Sequence, residues 1–162
     1  MYTGTFVLST CGTSLLTNAA SGDARKWLIK IANQTELEAG DRKSFDDLLS
    51  EQRKRLLQAS ESERRSMSAE LNGIGLVLDR WDADQVMHVL VYTDTVVGRA
   101  TAELVADLLR DGGHQVQLHS AGGLRANDLL SFREALAELT GWIEETVPGY
   151  REAGWATVFN LT

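Results

Sequence analysis

Short polar segments follow three apolar, β-forming runs of the sequence. They are Thr-Cys-Gly-Thr-Ser at residues 10–14, Thr-Asp-Thr at 93–95 and Asn-Leu-Thr at 160–162, and Gly98 and Arg99 follow closely after the second. Hydroxyls, amides and the backbone N–H groups of a turn that opens a helix can hold phosphate, ribose or the edge of a base. The three segments therefore indicate a site for a small anionic ligand of nucleotide type.

Helix capping is the competing interpretation of each segment. Ser, Thr, Asp and Asn are favoured at helix starts and in turns whatever the protein does. For any one segment alone, capping is the better explanation. Three such segments at one edge of a sheet favour a binding site.

Several other chemistries find no support in the sequence. It contains neither a GxGxxG motif after the first apolar run nor a GxxxxGK[ST] motif, which excludes the usual dinucleotide and P-loop sites. Cys11, His88, His114 and His119 lack the spacing of metal ligands, so we expect no metal and no other cofactor. Cys11 as a nucleophile would need a base partner, and a small buried turn residue is the favoured interpretation.

The elements that must position these segments follow from the hydrophobic pattern. Apolar runs at 5–9, 87–92, 115–119 and 155–159 predict four strands, and helical stripes separate them. A largely helical insertion at about 35–80 lies between the first two strands. The order predicts one α/β domain over 1–162, with a Rossmann-like, doubly wound and mainly parallel sheet. In such sheets ligands bind outside the carboxyl ends of the strands.

Two helices have predicted limits that the structure can test. Ser60 and Glu63 fit a capping box, which predicts a helix running from there to about Leu78. A second, long helical stripe starts at Leu129, and we expect it to end at Pro148-Gly149, which contains the only proline of the chain.

Composition limits the class of partner. The 162 residues contain 16 Lys and Arg against 23 Asp and Glu, a net charge of -7, which argues against a broad basic surface for long nucleic acid. No apolar run is long enough to cross a membrane. The single cysteine, Cys11, and an N-terminus without an export signal predict a cytoplasmic protein.

Four motifs, in order along nearly the whole chain, resemble those of CARF domains from type III CRISPR systems. They are STCGTSLLTN at 9–18, SAELN at 68–72, YTDT with GRATAE at 92–103, and FNLT at 159–162. The similarity is to the branch that includes standalone ring nucleases and the CARF halves of HEPN ribonucleases. In that family the last motif continues into a glycine pair and usually a lysine. We therefore expect that the domain stops at Thr162 before its last motif is complete.

The resemblance implies a sensor domain that binds the second messenger cyclic oligoadenylate, with cyclic tetra-adenylate favoured, across a two-fold homodimer. Neither long nucleic acid nor a membrane is an expected partner. Arg99 would offset the charge of the ligand, and Asp94 would hold backbone N–H groups or a ribose hydroxyl. The ligand-binding residues implied by the resemblance are Thr10, Cys11, Gly12, Thr13, Ser14, Leu15, Asn18, Asn72, Thr93, Asp94, Thr95, Gly98, Arg99, Asn160 and Thr162.

Some members of that family also cleave the ring, which is the alternative function. In that metal-independent reaction a ribose 2′-OH attacks the adjacent phosphate and gives linear products with cyclic phosphate ends. Ser14 or Thr13 would orient the hydroxyl, but the lysine that usually stabilises charge is absent, so binding is preferred. A third interpretation is a scaffold for protein contacts, which predicts that Thr13, Ser14 and Arg99 tolerate substitution.

Overall fold

The computed structural model describes residues 2–124 and 129–161 of the chain. All four predicted strands form, each slightly longer than its apolar run. They are β1 (Gly4–Cys11), β2 (Val86–Thr93), β3 (Gln115–Ala121) and β4 (Trp155–Asn160). Strand β1 is buried almost throughout, which accounts for its nearly continuous apolar sequence.

Helices fill every connection between the strands. Five of them join β1 to β2: α1 (Ser14–Ala19), α2 (Gly22–Ile31), α3 (Ala39–Gln58), α4 (Glu61–Met67) and α5 (Ala69–Leu78). A short 3-10 helix, Ala83–Gln85, precedes β2, and the later connections are α6 (Val96–Asp111) and α7 (Leu129–Glu152). Helices α3, α4 and α5 account for the predicted insertion.

The four strands form one parallel sheet in the order β3-β2-β1-β4. Cys11 at the end of β1 is level with Tyr92 of β2, and Ser9 is level with Asn160 of β4. The strand order reverses beside β1, and in open α/β sheets this is the place where ligands bind. The carboxyl ends of β2, β1 and β4 therefore lie side by side at this edge.

Two cores cover the two faces of the sheet, as the doubly wound prediction requires. On one face the larger core joins Cys11 and Leu90 to apolar residues of α1, α2, α3, α5 and α6. On the other face α7 packs through Leu139 and Val147 against Phe6 and Leu8 of β1 and their neighbours. The Rossmann-like fold class is thus confirmed. None of the described helices is both long and apolar enough to span a membrane.

The helix predicted from Ser60 to about Leu78 is interrupted at Ser68. The capping box of Ser60 and Glu63 forms as predicted, but the helix that it opens, α4, ends at Met67. Ser68 has an extended backbone, with φ -153° and ψ 159°, and its hydroxyl accepts a hydrogen bond from the N–H of Leu71. A serine side chain that caps a new helix competes with the continuation of the old one.

The end predicted for the last helix is also wrong, because α7 continues past Pro148 to Glu152. The extra turn carries Tyr150, whose ring lies 4.6 Å from that of Phe6 and 5.5 Å from that of Trp155. We attribute the continuation to this packing, which offsets the hydrogen bond that proline cannot make. The chain then turns at Gly154, with φ 81°, and enters β4.

Candidate functional site

The sheet brings the three polar segments to one edge, as their positions after strands predicted. The turn after β1 is flanked by the turn after β2 and by the end of β4, because the strand order is β2-β1-β4. Thr162, the last predicted ligand contact, lies outside the described residues. The other predicted residues can be located, and they lie at the ends of β1, β2 and β4, in the turns after β1 and β2, and on α1, α5 and α6.

The turn between β1 and α1 is held by a carboxylate from a distant helix. The N–H of Gly12 donates to Oε1 of Glu70 at 2.8 Å, and the Ser14 hydroxyl donates to Oε2 at 2.6 Å. Glu70 belongs to the first turn of α5 and is only 1% exposed. The Gly12 N–H was expected to face an anionic ligand, but a carboxylate of the protein itself occupies it.

The helix in which Glu70 lies stabilises its buried carboxylate. Glu70 lies in the first turn of α5, where the helix dipole favours negative charge, and Ser68 caps that turn. Hydrogen bonds from N–H and O–H donors compensate a buried carboxylate for the water it has lost. Glu70 therefore ties the first strand to the helical insertion.

Cys11, the last residue of β1, is buried, as the favoured interpretation predicted. Burial raises the pKa of its thiol, and the charge of Glu70 raises it further. The sulfur is therefore protonated at neutral pH and is not the thiolate that a nucleophile requires.

Asn160 at the end of β4 joins three elements of the site. Its side-chain Nδ2 donates to Oγ of Ser9 at 3.2 Å and to the backbone carbonyl of Glu70 at 3.1 Å. A Cβ on Gly73 would lie 2.0 Å from Oδ1 of Asn160, so a glycine at this point of α5 makes room for the amide. Both hydrogens of that amide are thus used within the protein, and they link β4, β1 and α5.

The turn between β2 and α6 is closed by its own threonines. Thr95 is buried and caps α6, because its Oγ1 accepts from the N–H of Gly98 at 3.1 Å. The hydroxyls of Thr93 and Thr95 lie 3.0 Å apart, within hydrogen-bonding distance. A Cβ on Gly98 would be 2.2 Å from Oγ1 of Thr93. For this segment the capping interpretation describes the observed contacts.

The C-terminal part of the chain also matches a known family. The model of a family described as CRISPR-associated protein (Cas_APE2256) matches residues 65–162, which is more than half of the chain and includes both Glu70 and the turn after β2. The chain belongs to the Cas_APE2256 family of CRISPR-associated proteins. No curated protein matches it.

In this Cas_APE2256 protein the other predicted site residues lie on α1 and α5 or in and beside the two turns. Asn18 and Asn72 line one cleft of about 560 Å³, and Nδ2 of Asn18 donates to the carbonyl of Met67 at 3.3 Å. Leu15 is fully buried, so its side chain is part of the core and is not open to a ligand. Thr10, Thr13 and Asp94 are half-buried beside the turns.

Arg99 lies on the exposed surface of α6. It lines a groove of about 280 Å³ between α6 and α3, together with Arg42, Thr35 and two acidic residues. Arg99, the residue expected to offset the charge of the ligand, is therefore in the first turn of α6, next to the cap that Thr95 forms.

Sequence reasoning missed Glu70 and Arg55. Glu70 is the only charged residue of α5, whose remaining sequence is mostly apolar, and this isolation was the available signal. Arg55 lines a cleft of about 470 Å³ with Asn18 and Gln52, and its position follows only from the docking of α3 on α1. Within residues 2–124 and 129–161, no three His, Cys, Asp or Glu side chains form a group that could hold a metal ion.

Proposed function

We propose that this CRISPR-associated protein is a CARF-type sensor domain that binds cyclic oligoadenylate, with cyclic tetra-adenylate favoured. The observation that carries the proposal is the hydrogen-bond network joining three of the four segments that resemble CARF motifs. Glu70 of the second segment binds Gly12 and Ser14 of the first, and Asn160 of the last segment binds Ser9 and the backbone of Glu70. The segments act as one structural unit at the sheet edge where ligands bind.

The chemistry of this edge suits a compact nucleotide ring better than a duplex. The chain has a net charge of -7, so a long polyanion would be repelled by most of its surface. A ring of a few phosphates needs only local donors, and the edge offers threonine and serine hydroxyls with Arg99 nearby. Membership of a CRISPR-associated family makes a nucleotide messenger of that defence system the appropriate ligand class.

The ring is held between two copies of the chain. A symmetric ring matches a two-fold interface, in which both subunits present the same residues. Helix α7 follows β3 and carries exposed apolar residues in its first two turns: Leu129 is 75% exposed, Leu130 is 68% and Leu136 is 47%. An exposed apolar patch of this kind is typical of a protein interface, and it supports the homodimer.

Cleavage of the bound ring is the second candidate function, and one contact favours it. The Ser14 hydroxyl is held in a single position by the buried Glu70, at 2.6 Å. A fixed hydroxyl beside the ligand can orient a ribose 2′-OH for attack on the adjacent phosphorus, with departure of the 5′ oxygen and formation of a cyclic phosphate. No metal ion takes part in this reaction.

Calorimetric titration tests the binding proposal. Cyclic tetra- and hexa-adenylate are titrated into the purified protein, with linear tetra-adenylate as the ligand control. We expect sub-micromolar binding of at least one ring and a fall of about tenfold for Arg99→Ala, because a cation beside a phosphate is lost. Arg25→Ala, on the exposed surface of α2, serves as the matched control and leaves binding unchanged. The absence of heat with both rings rejects the sensor.

A separate assay tests cleavage. Labelled cyclic tetra-adenylate is incubated with excess protein in EDTA, and the products are separated by chromatography. A ring nuclease gives linear products with cyclic phosphate ends and is slowed by Ser14→Ala. A ring that binds but stays intact after long incubation identifies a sensor without nuclease activity.

A further inference from the structure

A polar cleft of about 470 Å³, the Arg55 cleft, lies between α1, the C-terminal part of α3 and α4. Asn18 of α1 lines it and also lines the cleft that contains Asn72, so the two clefts meet at that side chain. Among the described residues that line the Arg55 cleft, Arg55 is the one cation and Glu63 the one acid. The cleft therefore combines amide groups with a single guanidinium.

The end of α3 does not use the Arg55 guanidinium. An arginine in the last turn of a helix often binds the terminal carbonyls. Here Arg64 of α4 does so, since its Nε donates to the carbonyl of Leu56 at 2.8 Å and its Nη2 to that of Leu57 at 3.4 Å. The N–H of Ala59 donates to the carbonyl of Arg55 at 3.0 Å. Capping of α3 therefore does not explain the Arg55 side chain.

A buried glutamine connects Arg55 to the start of α1. Nη1 of Arg55 donates to Oε1 of Gln52 at 3.4 Å, and Nε2 of Gln52 donates to the carbonyl of Leu15 at 3.1 Å. Gln52 is 2% exposed, and Leu15 follows Ser14, the residue at which α1 begins. Because α1 starts directly after the first turn, Gln52 fixes the guanidinium relative to the carboxyl edge of the sheet.

Most of the hydrogen-bonding capacity of Arg55 is not used by the described residues. A guanidinium has five N–H donors in one plane, and Arg55 forms no ion pair within residues 2–124 and 129–161. Glu63 is bonded elsewhere, because its Oε2 accepts from the N–H of Ser60 at 2.7 Å and from its hydroxyl at 2.6 Å. These two bonds also lower the pKa of Glu63. Arg55 thus presents an uncompensated positive charge on a chain of net charge -7.

We infer that the Arg55 cleft is a phosphate subsite, in which Arg55 binds a phosphate of the ring and Gln52 is the positioning residue. The inference rests on the proposed binding of cyclic oligoadenylate. The planar fork of an arginine matches two oxygens of one phosphate. The polar groups of the first turn do not serve this purpose, since the Gly12 N–H and the Ser14 hydroxyl are bonded to Glu70. The helical insertion therefore supplies the cation that this side of the site lacks.

Two rings that differ only in charge test the inference. Cyclic tetra-adenylate and its counterpart with uncharged methylphosphonate linkages are titrated calorimetrically into the wild type and the variants. We expect the wild type to bind the uncharged ring at least about tenfold more weakly, because charge-assisted hydrogen bonds are lost. Arg55→Ala should weaken the charged ring about tenfold and leave the uncharged ring unchanged. The preference for the charged ring then falls by the same factor.

Lys54→Ala is the matched control for Arg55→Ala. Lys54 carries the same charge on the exposed surface of the same turn of α3 but does not line the Arg55 cleft, so the variant should keep the wild-type preference. Arg55→Lys keeps the charge and loses the planar fork, and we expect it to recover part of the preference.

Gln52→Leu tests the positioning role. It removes both amide contacts of Gln52 while keeping a side chain of similar length. A purely structural disturbance would weaken the two rings alike, whereas loss of the position of Arg55 lowers the preference for the charged ring. We expect the preference to fall, with circular dichroism showing that the variant is folded. An unchanged preference in the folded variant overturns the role of Gln52.

The outcomes separate this inference from the function on which it rests. A full preference for the charged ring in Arg55→Ala overturns the phosphate subsite, and so does equal weakening of both rings, which would assign Arg55 to a base or a sugar. Equal binding of the two rings by the wild type overturns it as well and leaves the sensor in place. Failure of the wild type to bind either ring overturns the proposed function, and this inference falls with it.

Discussion

The turns after β1 and β2 are neighbours in the sheet and look alike in sequence, but different parts of the chain hold them. Each contains threonine, has a glycine in it or shortly after it, and leads into a helix. In the second turn the N–H of Gly98 is bonded to Thr95, three residues away. In the first turn Gly12 and Ser14 are bonded to Glu70, 58 and 56 residues away.

This difference shows how far each turn depends on the rest of the fold. The second turn carries its own cap, and the N–H of Val96 at its end also donates to the carbonyl of Gln34 at 2.8 Å. The first turn keeps its polar groups satisfied only while α5 is docked beside β1, and Asn160 and Gly73 contribute to that docking. A disturbance of α5 therefore reaches the first turn directly, whereas the Thr95–Gly98 cap of the second turn makes no use of α5.

Removal of the distant carboxylate should have the largest effect. We expect Glu70→Ala to lower the free energy of unfolding by about 3 kcal/mol at pH 7, because two hydrogen bonds to a charged group are lost. Urea denaturation followed by circular dichroism measures the change. Glu51→Ala, on the exposed surface of α3, is the control and should stay within about 0.5 kcal/mol of the wild type. A similarly small effect for Glu70→Ala would contradict the dependence of the first turn on α5.

Substitution of the two glycines should affect the turns unequally. In Gly98→Ala the new methyl group would lie 2.2 Å from Oγ1 of Thr93 and 3.0 Å from its backbone oxygen. We expect a loss of about 2 kcal/mol, typical of overpacking, measured by the same denaturation.

Gly12→Ala is the matched control for that glycine. Its methyl group would meet Oε1 of Glu70 at 3.6 Å, an ordinary contact, and the position does not have a positive φ. We expect a change of less than about 0.5 kcal/mol. Equal effects of the two substitutions would show that the turns differ less than their contacts indicate.

The free energy of unfolding should depend on pH through His88 of β2, the strand that precedes the second turn. His88 is fully buried, with no hydrogen-bond partner for either ring nitrogen among the described residues, and its ring lies 5.2 Å from that of His114. Burial, and to a smaller extent the charge of His114, lowers the pKa of His88 to about 4 from its ordinary 6.5. Between pH 4 and pH 6.5 the unfolded chain binds more protons than the folded chain. The contribution of His88 to the free energy of unfolding is therefore fully present above pH 6.5 and is lost as the pH falls.

The expected loss is about 2 kcal/mol between pH 6.5 and pH 5. Denaturation of the wild type and of His88→Leu at both values measures it. The variant should be markedly less sensitive over this interval, because the group that gains the proton is gone. An unchanged pH dependence in His88→Leu would assign the sensitivity to other groups, and those of the first turn would then be the next to test.

Among the changes expected to destabilise the protein, loss of the Thr95 cap should have the smallest effect. Thr95→Ala removes the acceptor of the Gly98 N–H, and we expect a cost of about 1 kcal/mol. Thr95→Ser keeps the oxygen and should recover most of the stability. Failure of serine to do so would mean that packing of the threonine methyl group, rather than capping, stabilises the second turn.

Much of the fold could be predicted because its signals are local. Apolar runs predicted all four strands, and the capping box of Ser60 and Glu63 marked the start of α4. The errors at Ser68 and Pro148 have different causes, the first a local cap that the apolar pattern did not reveal and the second a contact between two elements. Ser68 caps a new helix, and Tyr150 packs on Phe6 so that α7 continues past the proline.

The candidate site, like the fold, has features that could be predicted from the sequence and features that could not. The sequence by itself determined which residues would reach the carboxyl edge of the sheet, since this depends on strand order. It also offered capping as the competing interpretation of each segment, and the contact between Thr95 and Gly98 is such a cap. Only the tertiary structure decided that Glu70 takes the Gly12 N–H and the Ser14 hydrogen. A bond between residues 58 positions apart depends on how α5 docks on β1, and no spacing in the sequence encodes that distance.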